Sequence, residues 1–442
     1  MRITFFLVKS SAVAAMGGLL FGFDTAVISG TTQDLVATYN LSPALLGITV
    51  SSALWGTIIG AFVSGILAEH LGRRDSLRIL AILYLISAVA SAAAWNWSTF
   101  IAFRVVGGLA IGGSSVLGPM YIAEIAPPKQ RGLLVGFFQL SIVAGILTAY
   151  FSNYLIGLAH LGIPEWRWMI GVAALPTVFF FGMLYGIPRS PRWLVQKGFI
   201  EEAGNVLEMT CGNGYEFELQ SILDSIVLER RTRNTRLFER AHAFPMFLVI
   251  STALFNQLSG INAVLYYLNF IFVSAGFGML SASIQAVAVG IILLIFTIVG
   301  MFAIDRVGRK TLLLIGSTGT AMCLAIVAFI LIIHRYAPLL IWALGGYIAC
   351  FAFSQGAVIW VYISEVFPNS VRAKGQSLGS LSHWSMNALI SMLFPMIAAV
   401  SGAYPFLFFA AMMVLQFLVV LFIFPETKGL SLEKVQETFG HH

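Results

Sequence analysis

Residues 69–74 read Glu69-His-Leu-Gly72-Arg73-Arg74, and residues 305–310 read Asp305-Arg-Val-Gly308-Arg309-Lys310. Each is a short charged stretch between two long apolar runs. A spanning helix needs about 20 mostly apolar residues. Twelve such runs can be drawn, at 5–29, 44–69, 77–97, 99–123, 133–158, 167–187, 244–273, 281–304, 311–333, 337–364, 376–400 and 404–424. The two quoted stretches therefore occupy matching places, after the second run and after the eighth. A loop recurring six runs later is the mark of a duplicated helical bundle.

Other loops repeat in the same register. After the fourth run comes Glu124-Ile-Ala-Pro127-Pro-Lys-Gln-Arg131-Gly132, and after the tenth comes Glu365-Val-Phe-Pro368-Asn-Ser-Val-Arg372. The acid-to-arginine spacing is the same in both. Pro188-Arg-Ser-Pro191-Arg192 follows the sixth run, and Pro425-Glu426-Thr-Lys428-Gly follows the twelfth. Charge that merely sets topology explains isolated Arg and Lys, but not duplicated Gly, Pro and acid positions. Acid–base pairs at these helix ends would lock the two halves together on the cytoplasmic face, and releasing them would open it. The residues of that gating network are Glu69, Arg73, Arg74, Glu124, Arg131, Arg192, Asp305, Arg309, Glu365, Arg372 and Glu426.

Composition sets the solvent. Hydrophobic residues make up 59% of the chain and charged ones 10%, against about 25% charged in a soluble domain. So few charges could not cover a surface facing water, and the chain is read as an all-α membrane protein. The net charge of +6 does not point to nucleic acid, because the basic residues lie in loops. All of the 25 Lys and Arg except Arg104, Arg167 and Arg335 fall in or within a few residues of the N-terminus, the loops after even-numbered runs or the tail. The positive-inside bias puts both termini and the central stretch in the cytoplasm. The first run is too long for a signal peptide's apolar region and reads as a span. Three scattered cysteines, Cys211, Cys323 and Cys350, suggest neither a disulfide framework nor a metal site. Cys323 and Cys350 read as small packing residues. No cofactor is expected: there is no phosphate-binding Gly-rich loop, metal cluster or nucleophile elbow.

The expected organisation is a six-helix half at 1–187, a cytoplasmic linker at 188–243, a second half at 244–424 and a tail at 425–442. Within the linker Leu219, Ile222, Leu223, Ile226 and Leu228 recur at helical spacing, among acids and Arg230, Arg231, Arg233 and Arg236. Short amphipathic helices are expected there.

An ionisable residue at membrane depth is a functional candidate. Asp24 stands in the first run and Arg104 in the fourth. Burial away from water opposes a lone carboxylate's charge, and a guanidinium beside it favours that charge. Motion that parts the two would let Asp24 take a proton; a static buried ion pair is the alternative. A sugar site needs amides, which both donate and accept, and an aromatic plate. Asn256, Gln257 and Asn262 in the seventh run, Gln139 in the fifth, Trp360 in the tenth and Trp384 and Asn387 in the eleventh supply them. Interhelical bonding is the plainer role for any one amide. Gly260 weakens the seventh run as a helix, which suits a discontinuous span near the midplane. Tyr266 and Tyr267 either cap that site from outside as an outer gate or sit as interfacial aromatics.

The set Gly-Arg-Arg (72–74), Pro-x-x-x-Arg-Gly (127–132), Ser-Pro-Arg-Trp (190–193), Gln-x-x-Gly-Ile-Asn (257–262) and Pro-Glu-Thr-Lys-Gly (425–429) resembles the sugar porters of the major facilitator superfamily over nearly the whole chain. The similarity is to bacterial proton-coupled sugar symporters of the xylose–proton type, and more distantly to facilitative glucose transporters. The resemblance implies the major facilitator fold, with two pseudo-symmetric six-helix halves. It implies Asp24 as proton carrier with Arg104 as partner, and sugar contacts at Gln139, Gln257, Asn262, Trp360 and Trp384. The expected function is alternating-access, proton-coupled symport of a monosaccharide, a hexose such as glucose, by a monomer in a bacterial inner membrane. An uncoupled facilitator and a transporter-like sensor are the alternatives. A sensor would need a signalling extension, which the short tail does not offer. Four positions depart from the family pattern: Arg189 replaces an acid, Asn256 a Gln, Leu293 an Asn, and His383 an amide.

Overall fold

All twelve apolar runs fold as helix. The computed structural model describes residues 4–161, 164–212, 214–232, 237–367 and 371–428. Pro368, Arg233, Arg236 and the tail from Gly429 lie outside the described residues, as do the side chains of Leu228, Glu229, Arg230 and Arg231.

The first spans are α1 Phe5–Tyr39, α2 Pro43–Leu71, α3 Arg73–Ala92, α4 Trp97–Ile125 and α5 Pro128–Ala159, with the sixth made of α6 Glu165–Gly171 and α7 Ala174–Met183. Three short helices follow: α8 Pro191–Lys197, α9 Ile200–Cys211 and α10 Tyr215–Thr232. They share a core of Trp193, Leu194, Leu207, Ile222 and Ile226, which is the packing the amphipathic spacing called for. The seventh span is α11 Ala243–Leu258, α12 Ile261–Tyr266 and α13 Leu268–Ser274; then come α14 Met279–Val307 and α15 Arg309–Ile333. The tenth is α16 Leu339–Phe353 plus α17 Gln355–Glu365, followed by α18 Arg372–Val400 and α19 Tyr404–Phe422. Strands are absent among the described residues.

The chain forms two compact units: Met1–Val27 with Ser52–Arg233, and Ile28–Ser51 with Asn234–His442. Helices α1 and α2 thus contribute to both. Their apolar character is continuous across the division, and α1 runs ten residues beyond the predicted end at residue 29. In this extension Thr31 and Thr32 turn their hydroxyls inward, donating to the carbonyls of Ile28 and Ser29.

In the first unit, glycines let helices meet backbone to backbone. Gly56 and Gly60 of α2 lie against the α4 carbonyls of Val105 and Leu109, and Gly108 and Gly112 of α4 lie against Ala53 and Thr57. Reciprocal small-xxx-small faces of this kind drive association in lipid, where apolar burial does not distinguish protein from tails. Gly18 and Gly22 of α1 press on Phe138 and Ile142 of α5 in the same manner. That crossing fixes α1 two residues before Asp24. Large apolar side chains such as Phe62, Phe302, Trp342 and Phe422 point outward, as lipid-facing residues do.

The second unit contains two broken spans. Gly260, at φ +82°, interrupts the seventh, and a second break falls at Tyr267. The tenth breaks at Ser354, with φ −115° and ψ −85°. Breaks free backbone polar groups, which must find partners away from water. Tyr347 donates to the Ser259 carbonyl at 2.9 Å, and Asn256 donates to the Gln355 carbonyl at 3.4 Å.

Candidate functional site

Asp24 and Arg104 meet inside the first unit. Arg104 Nη2 donates to Asp24 Oδ2 at 3.0 Å, and Nη1 donates to Oδ1. The two residues are only 7% and 3% exposed. A two-pronged guanidinium–carboxylate contact is the strong form of the ion pair. Here it neutralises two charges that apolar surroundings would otherwise penalise. Removing one partner from such a pair costs about 3–5 kcal/mol, because the other charge is left buried. The Tyr84 hydroxyl of α3 donates to the Leu20 carbonyl at 3.3 Å, one turn before Asp24 on α1. Sequence reading missed Tyr84, because one tyrosine in an apolar run carries no pattern. Beside it lies a small cavity lined by Leu20, Leu80, Ala110, Ser114 and Phe180.

The amides of the second unit form a connected chain. Gln257 Nε2 donates to Asn256 Oδ1 at 3.1 Å, and Asn262 Nδ2 donates to Gln257 Oε1 at 2.9 Å. The Gly260 break turns the chain between Gln257 and Asn262, so two amides five residues apart can meet. Gln257 Nε2 also lies 3.2 Å from His383 Nδ1 and 3.1 Å from its Nε2. An atom nearly equidistant from both ring nitrogens sits over the imidazole face, not on a lone-pair axis. The His383 ring lies 5.1 Å from the Trp360 ring and 5.0 Å from that of Trp384. Trp360 is 39% exposed and presents an open face, whereas Trp384 is buried.

Asn387 extends the set along α18. It donates to the Tyr266 hydroxyl at 3.3 Å and accepts from Ser391 at 3.2 Å. Tyr267 donates to the Ser391 carbonyl at 2.9 Å and stacks on Phe394 at 5.0 Å. Both tyrosines are buried, so neither is an interfacial aromatic. Gln139 is half-buried on α5 of the first unit. Leu293 is buried on α14 and offers no polar contact.

The repeated loops fold into two matching cages, one in each unit. In the first, Arg73 Nε and Nη2 donate to Glu124 Oε1 at 3.0 and 2.6 Å, Ser190 donates to Glu124 Oε2, and Arg73 Nη1 donates to the Ala68 carbonyl at 3.2 Å. In the second, Arg309 Nε and Nη2 donate to the Glu365 carboxylate at 3.2 and 2.8 Å, Thr427 donates to it at 2.6 Å, and Arg309 Nη1 donates to the Ile304 carbonyl at 3.2 Å. Asp305 pairs with Arg309 at 3.1 Å but is 80% exposed. The hydroxyls of Ser190 and Thr427 were not foreseen, although their loops were aligned.

The cages differ most at the position of Glu426. Glu426 accepts from the backbone N–H of Arg309 at 2.9 Å and of Lys310 at 3.0 Å, capping α15. Its counterpart Arg189 has no acceptor to offer the first turn of α3. It turns instead to Asp75 at 3.8 Å and Glu202 at 3.7 Å, while Arg74 and Arg78 crowd the same Asp75. Arg131 is 4.0 Å from Glu218, and Arg372 points to the Phe367 carbonyl. Arg192 is half-buried in the first turn of α8. Glu69 contributes its carbonyl to Trp193 at 3.2 Å.

The family described as sugar (and other) transporters matches residues 10–439. The arabinose–proton symporter of Bacillus subtilis is 38% identical over 439 residues, covering 98% of this chain and 95% of that protein. The glucose transporter GlcP of Staphylococcus epidermidis is 36% identical over 431 residues, covering 96% and 95%. The xylose transporter XylE of Escherichia coli, solved in an inward-open conformation, superposes with a TM-score of 0.88 at 34% identity, covering 98% of this chain and 100% of that one. A helical bundle of twelve spans, duplicated charge cages and a full-length match agree: the chain is a multi-pass membrane protein that belongs to the sugar transporter family.

Proposed function

We propose that the protein is a proton-coupled symporter of a monosaccharide, working by alternating access in a bacterial inner membrane as a monomer with both termini cytoplasmic. The observation that carries this reading is the buried Asp24–Arg104 pair with Tyr84 beside it. A uniporter needs no titratable carboxylate at such depth, and keeping one there is costly. Parting the pair would leave Asp24 to be neutralised by a proton, and re-forming it would expel that proton. The printed name of the similar B. subtilis protein, an arabinose–proton symporter, supports the same coupling.

Substrate contact is assigned to Gln139 in the first unit. In the second it falls to Asn256, Gln257, Asn262, Asn387 and His383, with Trp360 and Trp384 as plates. Tyr266 and Tyr267 are assigned to the outer gate and the two cages to the cytoplasmic one, each cage bracing its own six-helix half. The halves at 1–187 and 244–424, the linker at 188–243 and the tail at 425–442 belong to the same proposal. The hexose expected from sequence differs from the xylose named for one similar protein by one hydroxymethyl group, and from the arabinose named for another also in hydroxyl configuration.

The test is uptake of labelled glucose, xylose and arabinose into proteoliposomes, with and without an imposed pH gradient. Symport predicts accumulation above equilibrium only with the gradient, and competition identifies the sugar. Uptake that ignores the gradient would leave a facilitator, and binding without flux a sensor.

A further inference from the structure

The fold brings together two cysteines that are separate in sequence. Helices α15 and α16 are consecutive spans joined by residues 334–338, so they run antiparallel. A Cβ built on Gly319 of α15 would lie 2.5 Å from Cys350 Sγ, and one built on Gly346 of α16 would lie 3.1 Å from Cys323 Sγ. Each sulfur thus rests on a glycine of the facing helix. Each cysteine also follows a glycine of its own helix by one turn, Gly319-x-x-x-Cys323 and Gly346-x-x-x-Cys350. Side chains on a helix tilt toward its N-terminus. In an antiparallel pair that tilt carries Cys323 Sγ toward the level of Cys350, and Cys350 Sγ toward the level of Cys323. Both sulfurs therefore lie within the contact between α15 and α16 and lean toward one another. Neither is in a disulfide.

We propose that Cys323 and Cys350 form a dithiol site between α15 and α16 that binds a soft, thiophilic centre through both sulfurs. A pair of sulfur donors selects soft centres over hard cations such as Mg²⁺ or Ca²⁺. The glycines let the helices approach closely where both sulfurs lie, and the site requires that one atom bridge them. With a trivalent organoarsenical the step balances without electron transfer. Each thiol gives up its proton, two S–As bonds form, the As–O bond breaks, and the oxygen leaves as water. The site also sits one turn from the break in the tenth span, where Ser354 donates to the Cys350 carbonyl at 2.6 Å. A bridge there would tie α16 to α15 next to the joint that leads into α17 and Trp360.

The third cysteine serves as the control. Cys211 lies in α9, is buried, and contacts the Thr210 hydroxyl at 3.6 Å; burial pushes its thiol up from the ordinary value. The experiment treats the full-length protein, purified in detergent, with phenylarsine oxide and reads intact mass. The site predicts one phenylarsenic group per chain in the wild type and in Cys211→Ala, and none in Cys323→Ala or Cys350→Ala. In the wild type, 1,2-ethanedithiol should remove the group and an equal thiol concentration of 2-mercaptoethanol should not. Sugar uptake by each alanine variant verifies that it is folded. Adduct retained in either span variant, adduct lost only with Cys211→Ala, no adduct in the wild type, or release by the monothiol would each overturn the proposal.

Discussion

Replacing Gln257 by leucine keeps the side chain's bulk and removes its amide. In the folded protein that amide is 1% exposed. It donates to Asn256 at 3.1 Å and accepts from Asn262 at 2.9 Å. The substitution therefore does two things to substrate affinity. It deletes one hydrogen bond to a sugar hydroxyl, worth about 1 kcal/mol net. It also frees Asn262 from the partner that orients it, which costs about another 1 kcal/mol. The sum of about 2 kcal/mol corresponds to roughly 30-fold weaker binding. Counterflow exchange in proteoliposomes reads this as a rise in KM, with the maximal rate much less affected. Asn153→Leu is the control, because Asn153 is a buried amide that donates to the Val27 carbonyl in the first unit and has no assigned sugar contact. Should Gln257→Leu fold and keep KM within about twofold of wild type, less than 0.5 kcal/mol, the amide chain would be a packing device and the substrate assignment would be wrong.

Two further outcomes test the second unit. Glu426→Ala removes the carboxylate that caps α15 through the Arg309 and Lys310 amides. A lost cap of this kind costs about 1–2 kcal/mol, so hydrogen exchange in the first turn of α15 should quicken about 5- to 30-fold. Unchanged exchange there would deny Glu426 its capping role. Gly260→Ala forces a β-carbon into the left-handed region at φ +82° and against the Phe409 ring. The backbone strain alone is about 1–3 kcal/mol, so the yield of folded protein and sugar uptake should both fall. Gly402→Ala has open space and should leave both intact; equal behaviour of the two variants would refute the argument from Gly260.

Much of the fold is legible in the sequence, since lipid imposes one rule on every span: a long apolar run with its polar backbone bonded internally. The repeated loops were equally readable, and the cages around Glu124 and Glu365 occupy those aligned positions. What escaped notice depends on contacts between distant residues. Tyr84 reaches the Leu20 carbonyl, one turn before Asp24, only because α3 passes beside α1. The break at Ser354 has no proline or positive-φ glycine to announce it. Cys323 and Cys350 read separately as packing residues, and only the antiparallel register of α15 and α16 turns them into a pair. The assignment of 28–51 to the second unit was hidden because hydropathy is continuous through α1 and α2. The departure at Arg189 was visible, but its consequence was not: a cation stands where Glu426 caps the matching helix, and Asp75 and Glu202 receive it instead.

The central claim is that Asp24 carries the proton that drives sugar uptake. Asp24→Asn removes the titratable group while keeping a polar side chain of the same shape beside Arg104 and Tyr84. The decisive measurement compares sugar accumulation driven by an imposed pH gradient with sugar counterflow at equal pH, for this variant and the wild type. The account predicts that the variant loses gradient-driven accumulation and retains counterflow. Accumulation surviving at the wild-type level in Asp24→Asn would contradict it.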